Sequence, residues 1–159
     1  MILTDAIKQS IDDCVLCWLA TASPDGEPNV SPKEIFDHFH DDEIVIANIA
    51  SPRTVTNLHR NPRVCVSFVN VFSQKGYQLH GNGEIMHEGH AGYDERAADL
   101  IEMAGEHFPF DTIIRLTIDR AKPILAPRYA LYPETTEAEQ VERAMQSYGV
   151  RPAEVVSHE

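Results

Sequence analysis

Three cysteines are too few, and odd in number, for a disulfide framework, so reduced thiols are expected. Positive charge is also scarce: 13 Lys and Arg stand against 25 Asp and Glu, a formal net charge of −12. That balance argues against a duplex nucleic-acid binder, which needs a basic footprint, and against docking on anionic lipid. No apolar run approaches the roughly 20 residues of a membrane span. The first residues, Met1 to Asp5, lack a basic segment leading into an apolar one, so a cytoplasmic location is expected. Regular βαβ alternation is missing, and Gly81-Asn82-Gly83 fails as a dinucleotide fingerprint because position 86 is Met86. No serine or cysteine sits in a nucleophile elbow, which removes support for covalent hydrolysis.

What remains is an ordinary globular composition: 159 residues, 43% apolar and 24% charged, enough for one domain over 1–159 with a real core. Residues 4–13 have Ala6, Ile7 and Ile11 at helical spacing with Thr4 as cap. Val15 to Ala22 is apolar almost throughout and predicts a strand buried on both faces. The turn Ser23-Pro24-Asp25-Gly26 leads into a strand from Pro28 to Phe36. Alternation there puts Asn29, Ser31 and Lys33 on one face, and Pro32 argues for an edge. A polar loop from Asp37 to Glu43 precedes a strand, Ile44 to Ala47. Arg63 to Val71 and Tyr77 to His87 alternate as strands, with a turn at Ser73-Gln74-Lys75-Gly76 between them. Gly81 and Gly83 clear one face for a close backbone or a flat ligand. Residues 91–107 predict a helix, with Tyr93, Ala97, Leu100, Ile101 and Ala104 on its apolar face. Thr112 to about Leu125 predicts a strand. Thr136 and Glu139 make a capping box for a helix over 136–148, with Val141, Ala144, Met145 and Tyr148 on one face. Six or so hairpin-joined strands with marginal helices describe a mainly antiparallel barrel or curled sheet with α additions.

Between Ser51 and Asn61 the chain reads as a short helix with Ser51 as cap, Pro52 in the first turn and Asn61-Pro62 as the stop. Arg53 near the start of that helix, with neighbouring hydroxyls, suits a phosphate; taken alone, the stretch reads first as an ordinary connecting helix with a solvated arginine. Because the chain is so acidic, Lys33, Arg53 and Lys75 gain weight as holders of an anion. Cys14-Val15-Leu16-Cys17 has redox-pair spacing, but it opens an apolar strand and reads as packing thiols. His38-Phe39-His40, flanked by Asp37, Asp41 and Asp42, is either a metal cluster or an acidic surface loop, and no metal is assigned.

In order and spacing, Leu19-Ala20-Thr21-Ala22, Asp25-Gly26-Glu27-Pro28, Ser31-Pro32-Lys33, Ile46-Ala47-Asn48, Ser51 to Thr54, Asn57-Leu58 and Asn61-Pro62-Arg63-Val64 form a series. With Gln74-Lys75-Gly76 and Gly81-Asn82-Gly83, that series resembles the FMN-binding split-barrel family related to pyridoxamine 5′-phosphate oxidase. The resemblance covers about residues 10–90 and implies a six-stranded antiparallel split β-barrel, working as a homodimer with FMN at the subunit interface. It implies that Arg53 and Thr54 hold the flavin phosphate with Ser51 and Asn57, and that Ser31 and Lys33 run beside the flavin. It further implies Ala47 and Asn48 under the ring, and Gln74 and Lys75 reaching the flavin of the partner.

The activity implied is that of an FMN-dependent oxidoreductase exchanging a hydride with a nicotinamide or a small organic substrate. No residue stands out as general acid or base. Authentic pyridoxamine phosphate oxidases carry a C-terminal arginine and histidine segment that grips the substrate phosphate. Ala126 to Tyr132 lacks that pattern, so vitamin B6 oxidation is not expected. Split barrels of this kind also include flavin-binding proteins without turnover and proteins that hold haem or a deazaflavin.

Overall fold

The computed structural model describes residues 2–153. In chain order the elements are α1 (Asp5–Asp12), β1 (Cys17–Ala22), β2 (Pro28–Lys33), β3 (Phe36–Phe39), β4 (Glu43–Ala47), α2 (Pro52–Leu58) and β5 (Arg63–Asn70). There follow β6 (Lys75–His87), α3 (Tyr93–Ala104) with a 3₁₀ turn at Gly105–His107, β7 (Thr112–Leu125), α4 (Pro127–Leu131) and α5 (Glu137–Tyr148).

All seven strands form one sheet in the order β2-β1-β5-β6-β7-β4-β3, with every neighbouring pair antiparallel. Its two edge strands, β2 and β3, are consecutive in the chain and joined only by Glu34 and Ile35. A sheet whose opposite edges are tied by so short a link has to curl on itself, and the result is a split barrel. Seven strands replace the expected six because Pro28 to Phe36 breaks into two elements and Asp37 to Phe39, expected in a loop, pairs with β4.

Inside the curl lie Leu19, Phe36, Ile44, Ile46, Val64, Val66, Phe68, Leu79 and Leu116, together with Leu3, Ile7 and Ile11 from the α1 end and Leu58 from α2. On the other face of β4 and β7, Val45, Ala47 and Ile113 pack against Tyr93, Ala97 and Leu100 of α3. Strand alternation explains the division: Ile44 and Ile46 face one core, Val45 and Ala47 the other. Arg96 anchors α3, its Nε and Nη2 donating to the Glu43 carboxylate at 2.7 and 3.1 Å.

Several local expectations are corrected. Strand β1 is buried on one face only: Trp18 is 47% exposed, beside Pro32 of β2 and Ser67 of β5. Thr4 and Ser51 occupy N-cap positions without a side-chain capping bond. Gly81 and Gly83 make room for the barrel itself. A Cβ at Gly81 would strike the Thr117 carbonyl, at the register shift between β6 and β7, and one at Gly83 would meet Leu58 and Leu116. In α3, Ile101 faces outward. The capping box of α5 forms as expected, but its buried residues are Gln140 and Ala144, with Tyr148 exposed.

Candidate functional site

Strand β2 faces inward through Asn29, Ser31 and Lys33, which sit opposite Thr21, Leu19 and Cys17 of β1. As an edge strand it has no neighbour beyond them, so Asn29 and Lys33 reach α2 and its N-cap residue instead. Two polar groups result. In the first, Asn29 Nδ2 donates to Thr21 Oγ1 (3.2 Å) and Thr54 Oγ1 (3.3 Å), and Asn57 Nδ2 donates to Thr21 Oγ1 (3.0 Å). Thr21, Thr54 and Asn57 are buried, so this network fixes the helix on the sheet. Asn61 Nδ2 adds a bond to the Ala22 carbonyl at 3.1 Å.

In the second, the Lys33 ammonium donates to the Ser51 hydroxyl, which itself donates to the Ile49 carbonyl at 3.0 Å. A left-handed backbone at Ala50 (φ 49°) turns the chain so that Ser51 meets Lys33. Lys33 is 5% exposed, and desolvation holds its pKa below that of an ordinary lysine. The neighbouring Cys17 thiol is pushed up to about 12, chiefly by burial, and is therefore neutral near pH 7. Cys14 is raised to about 11 for the same reason, so this pair has the character of packing thiols rather than of a redox couple.

Arg53 is exposed on α2, with Nη2 3.6 Å from the Glu27 carboxylate at the β1–β2 turn. Asn48 Nδ2 donates to Thr112 Oγ1 at 2.8 Å, while its buried Oδ1 has no partner among the described residues. Ala47, at the end of β4, lines a cavity of about 400 Å³ with Pro32, Lys33, Glu34, Ile35, Ile49, Met103 and Phe108.

Within one chain, then, Ser31, Lys33, Ala47, Asn48, Ser51, Arg53, Thr54 and Asn57 lie on β2, the end of β4 and α2. Gln74 and Lys75 do not join them. Both are at the β5–β6 hairpin, where Gln74 is left-handed (φ 55°) and Lys75 pairs with Glu137 at 2.6 Å. Sequence reasoning missed the roles of Thr21 and Asn29 in the network and of Met103 and Phe108 in the cavity. The alternation of β2 was the signal for Asn29; nothing local marks the other three.

Of the histidine-rich stretch, His38 Nε2 lies 3.8 Å from Asp12 and 3.9 Å from Asp37, while His40 stacks edge-on against Phe39.

A sequence model of the family described as Pyridoxamine 5′-phosphate oxidase matches residues 3–142. The chain belongs to that family. Among solved structures, HupZ of Group A Streptococcus is similar with a TM-score of 0.65 and 24% identity, over 76% of this chain and 92% of that one. An FMN-binding protein from Syntrophomonas wolfei has a TM-score of 0.63 and 18% identity, over 76% and 84%. HutZ, a haem storage protein from Vibrio cholerae, has a TM-score of 0.61 and 20% identity, over 79% and 95%. No curated protein matches the chain in sequence. At these identities the neighbours share the family fold, mainly β and split-barrelled, and two of them are named for different ligands, FMN and haem. No helix among the described residues is long and apolar enough to cross a membrane.

Proposed function

We propose that the chain binds FMN between two copies and serves as an FMN-dependent oxidoreductase for a nicotinamide or small organic partner. One observation supports this reading in a chain of net charge −12: the buried Lys33 donates to the neutral Ser51 hydroxyl at the start of α2, two residues before the exposed Arg53. A buried ammonium without a carboxylate is costly, and an anionic ligand offsets that cost.

The residues present fit the cofactor. Arg53 and Ser51 would take the phosphate, with Thr54 and Asn57 holding α2 in place beneath them. Ser31, Lys33, Ala47 and Asn48 would run along the ring, and Asn48 Oδ1, without a partner among the described residues, would offer an acceptor to a ring N–H. Gln74 and Lys75 would come from the second copy. When bound, FMN supplies reversible hydride chemistry; the chain binds, orients and shields it. Trp18, Val30 and Pro32 form an exposed apolar face on β1 and β2 that supports a second copy.

The visible spectrum of the freshly purified protein, before and after anaerobic NADPH, tests the reading. A flavin spectrum that bleaches supports the oxidoreductase. A persistent flavin spectrum favours a binding protein without turnover, and a haem spectrum replaces FMN with the ligand named for HutZ. Arg53→Glu should abolish FMN binding while leaving a folded dimer; retained micromolar affinity would remove Arg53 from the phosphate.

A further inference from the structure

Beside the proposed flavin residues lies a cavity whose wall they only partly supply. Of its eight lining residues, Lys33 and Ala47 belong to the flavin set. The rest comprises Glu34, four apolar side chains from two other places in the fold, and Pro32. Ile35 and Ile49 come from the ends of the β3–β4 region; Met103 comes from the last turn of α3 and Phe108 from just past the 3₁₀ turn. Met103 and Phe108 remain about half exposed, two apolar side chains in a wall that also holds Lys33 and Glu34.

From this arrangement, we propose that the cavity is a binding subsite for a small aromatic monocarboxylate, with the ring against Met103 and Phe108 and the carboxylate on Lys33.

Charge sets the first half of that class. Lys33 has three donors, and Ser51 is its one hydrogen-bond partner among the described residues. Lys33 takes part in no ion pair with a carboxylate among those residues, and the adjacent Cys17 is a neutral thiol near pH 7. With the flavin phosphate assigned to Arg53 and Ser51, the counter-charge of Lys33 itself is left to a second ligand, and a carboxylate placed on a desolvated ammonium makes a strong, charge-assisted bond. A second negative charge is disfavoured, because Glu34 lines the same cavity and no arginine does. This favours a monoanion over a phosphate dianion.

Shape and polarity set the second half. A volume of about 400 Å³ is near the small end of ligand pockets, which are mostly apolar with a few placed polar groups. A thioether and a phenyl group lining one cavity suit a flat ring through sulfur–aromatic and offset aromatic contacts. As the substrate subsite this rests on the flavin reading; as a binding site it stands without it.

Calorimetric titration of benzoate into the protein, with and without added FMN, tests the proposal. Wild type should bind one equivalent per chain, Phe108→Ala should weaken binding at least tenfold, and the neutral analogue benzyl alcohol and the dianion phenyl phosphate should both bind more weakly than benzoate. FMN affinity of Phe108→Ala should stay within threefold of wild type, and its melting temperature near wild type, since Phe108 is outside both cores.

Absence of benzoate binding in both forms, or tighter binding of phenyl phosphate, overturns the subsite. So does an equal loss of FMN and benzoate affinity in Phe108→Ala, which would assign the wall to the flavin ring. Benzoate binding by a protein that takes no FMN sinks the flavin reading and leaves the subsite standing.

Discussion

Lys75, at the β5–β6 hairpin, and Glu137, in the first turn of α5, form an ion pair at 2.6 Å across 62 residues of chain. Around it, the Lys75 ammonium lies 5.0 Å from the Tyr129 ring centroid, and the Tyr129 hydroxyl donates to the Ser73 carbonyl at 2.8 Å. The hydrogen bond from Lys75 to Glu137 is the main cause of the raised Lys75 pKa. The C-terminal segment thus straps the hairpin that the family resemblance sends toward a partner's flavin. Both side chains are substantially exposed, so a double-mutant cycle of Lys75→Ala and Glu137→Ala should give a coupling of about 0.2–1 kcal/mol. A coupling of zero would show that Glu137 does not hold Lys75.

Lys33→Met should stabilise the ligand-free protein at pH 7, raising its melting temperature by about 2–4 °C, because it replaces a buried charge by a stem of similar volume. The sign of the pH dependence follows from the lowered pKa. Between the folded value and the ordinary 10.5, the unfolded chain binds the extra proton, so wild-type stability rises with pH in that window. The advantage of Lys33→Met should therefore shrink as melts are repeated from pH 7 toward pH 10. An advantage that does not change with pH would show that the ammonium is solvated.

Arg53 and Asn57 stand on one short helix and should fail differently. Asn57→Ala leaves the Thr21 and Asn29 network short of a buried donor and should cost about 1–3 kcal/mol in urea denaturation. Arg53→Ala touches one loose, exposed ion pair and should change stability by less than about 0.5 kcal/mol while weakening FMN binding. Equal destabilisation by both would make Arg53 a structural residue.

Gly81→Ala should destabilise by about 3 kcal/mol or prevent folding, since neither the new Cβ nor the Thr117 carbonyl can yield without moving a strand. The same substitution at Gly26, where nothing lies nearby but φ is +90°, should cost only about 1–2 kcal/mol of backbone strain. Urea midpoints of the two variants decide this. A reversed order would mean that β6 and β7 are not packed as described.

Much of the architecture is legible locally. The alternation of Val64, Val66 and Phe68 against Cys65, Ser67 and Val69 specifies a strand, and the Thr136 and Glu139 pair starts a helix wherever it occurs. What failed to read correctly depended on partners distant in sequence. Trp18 looked buried because an apolar run carries no record of which face receives a cover. Ser51 looked like a cap because its competitor, the Lys33 ammonium, arrives from another strand. The Asp37 to Phe39 segment looked like a loop because pairing with β4 decided its state against a polar composition.

By itself the sequence determined the helices and strands with strong periodicity, the acidic balance that makes each cation in a pocket significant, and the ordered motifs of the pyridoxamine 5′-phosphate oxidase family. Tertiary structure decided the rest: that β2 and β3 become opposite edges of one curled sheet, that Lys33 is buried without a counter-charge, and that Met103 and Phe108 close a cavity beside it. The reason is physical. Hydrophobic period and capping are local and act within a few residues, whereas desolvation and cavity shape are properties of surfaces that meet only when the sheet closes.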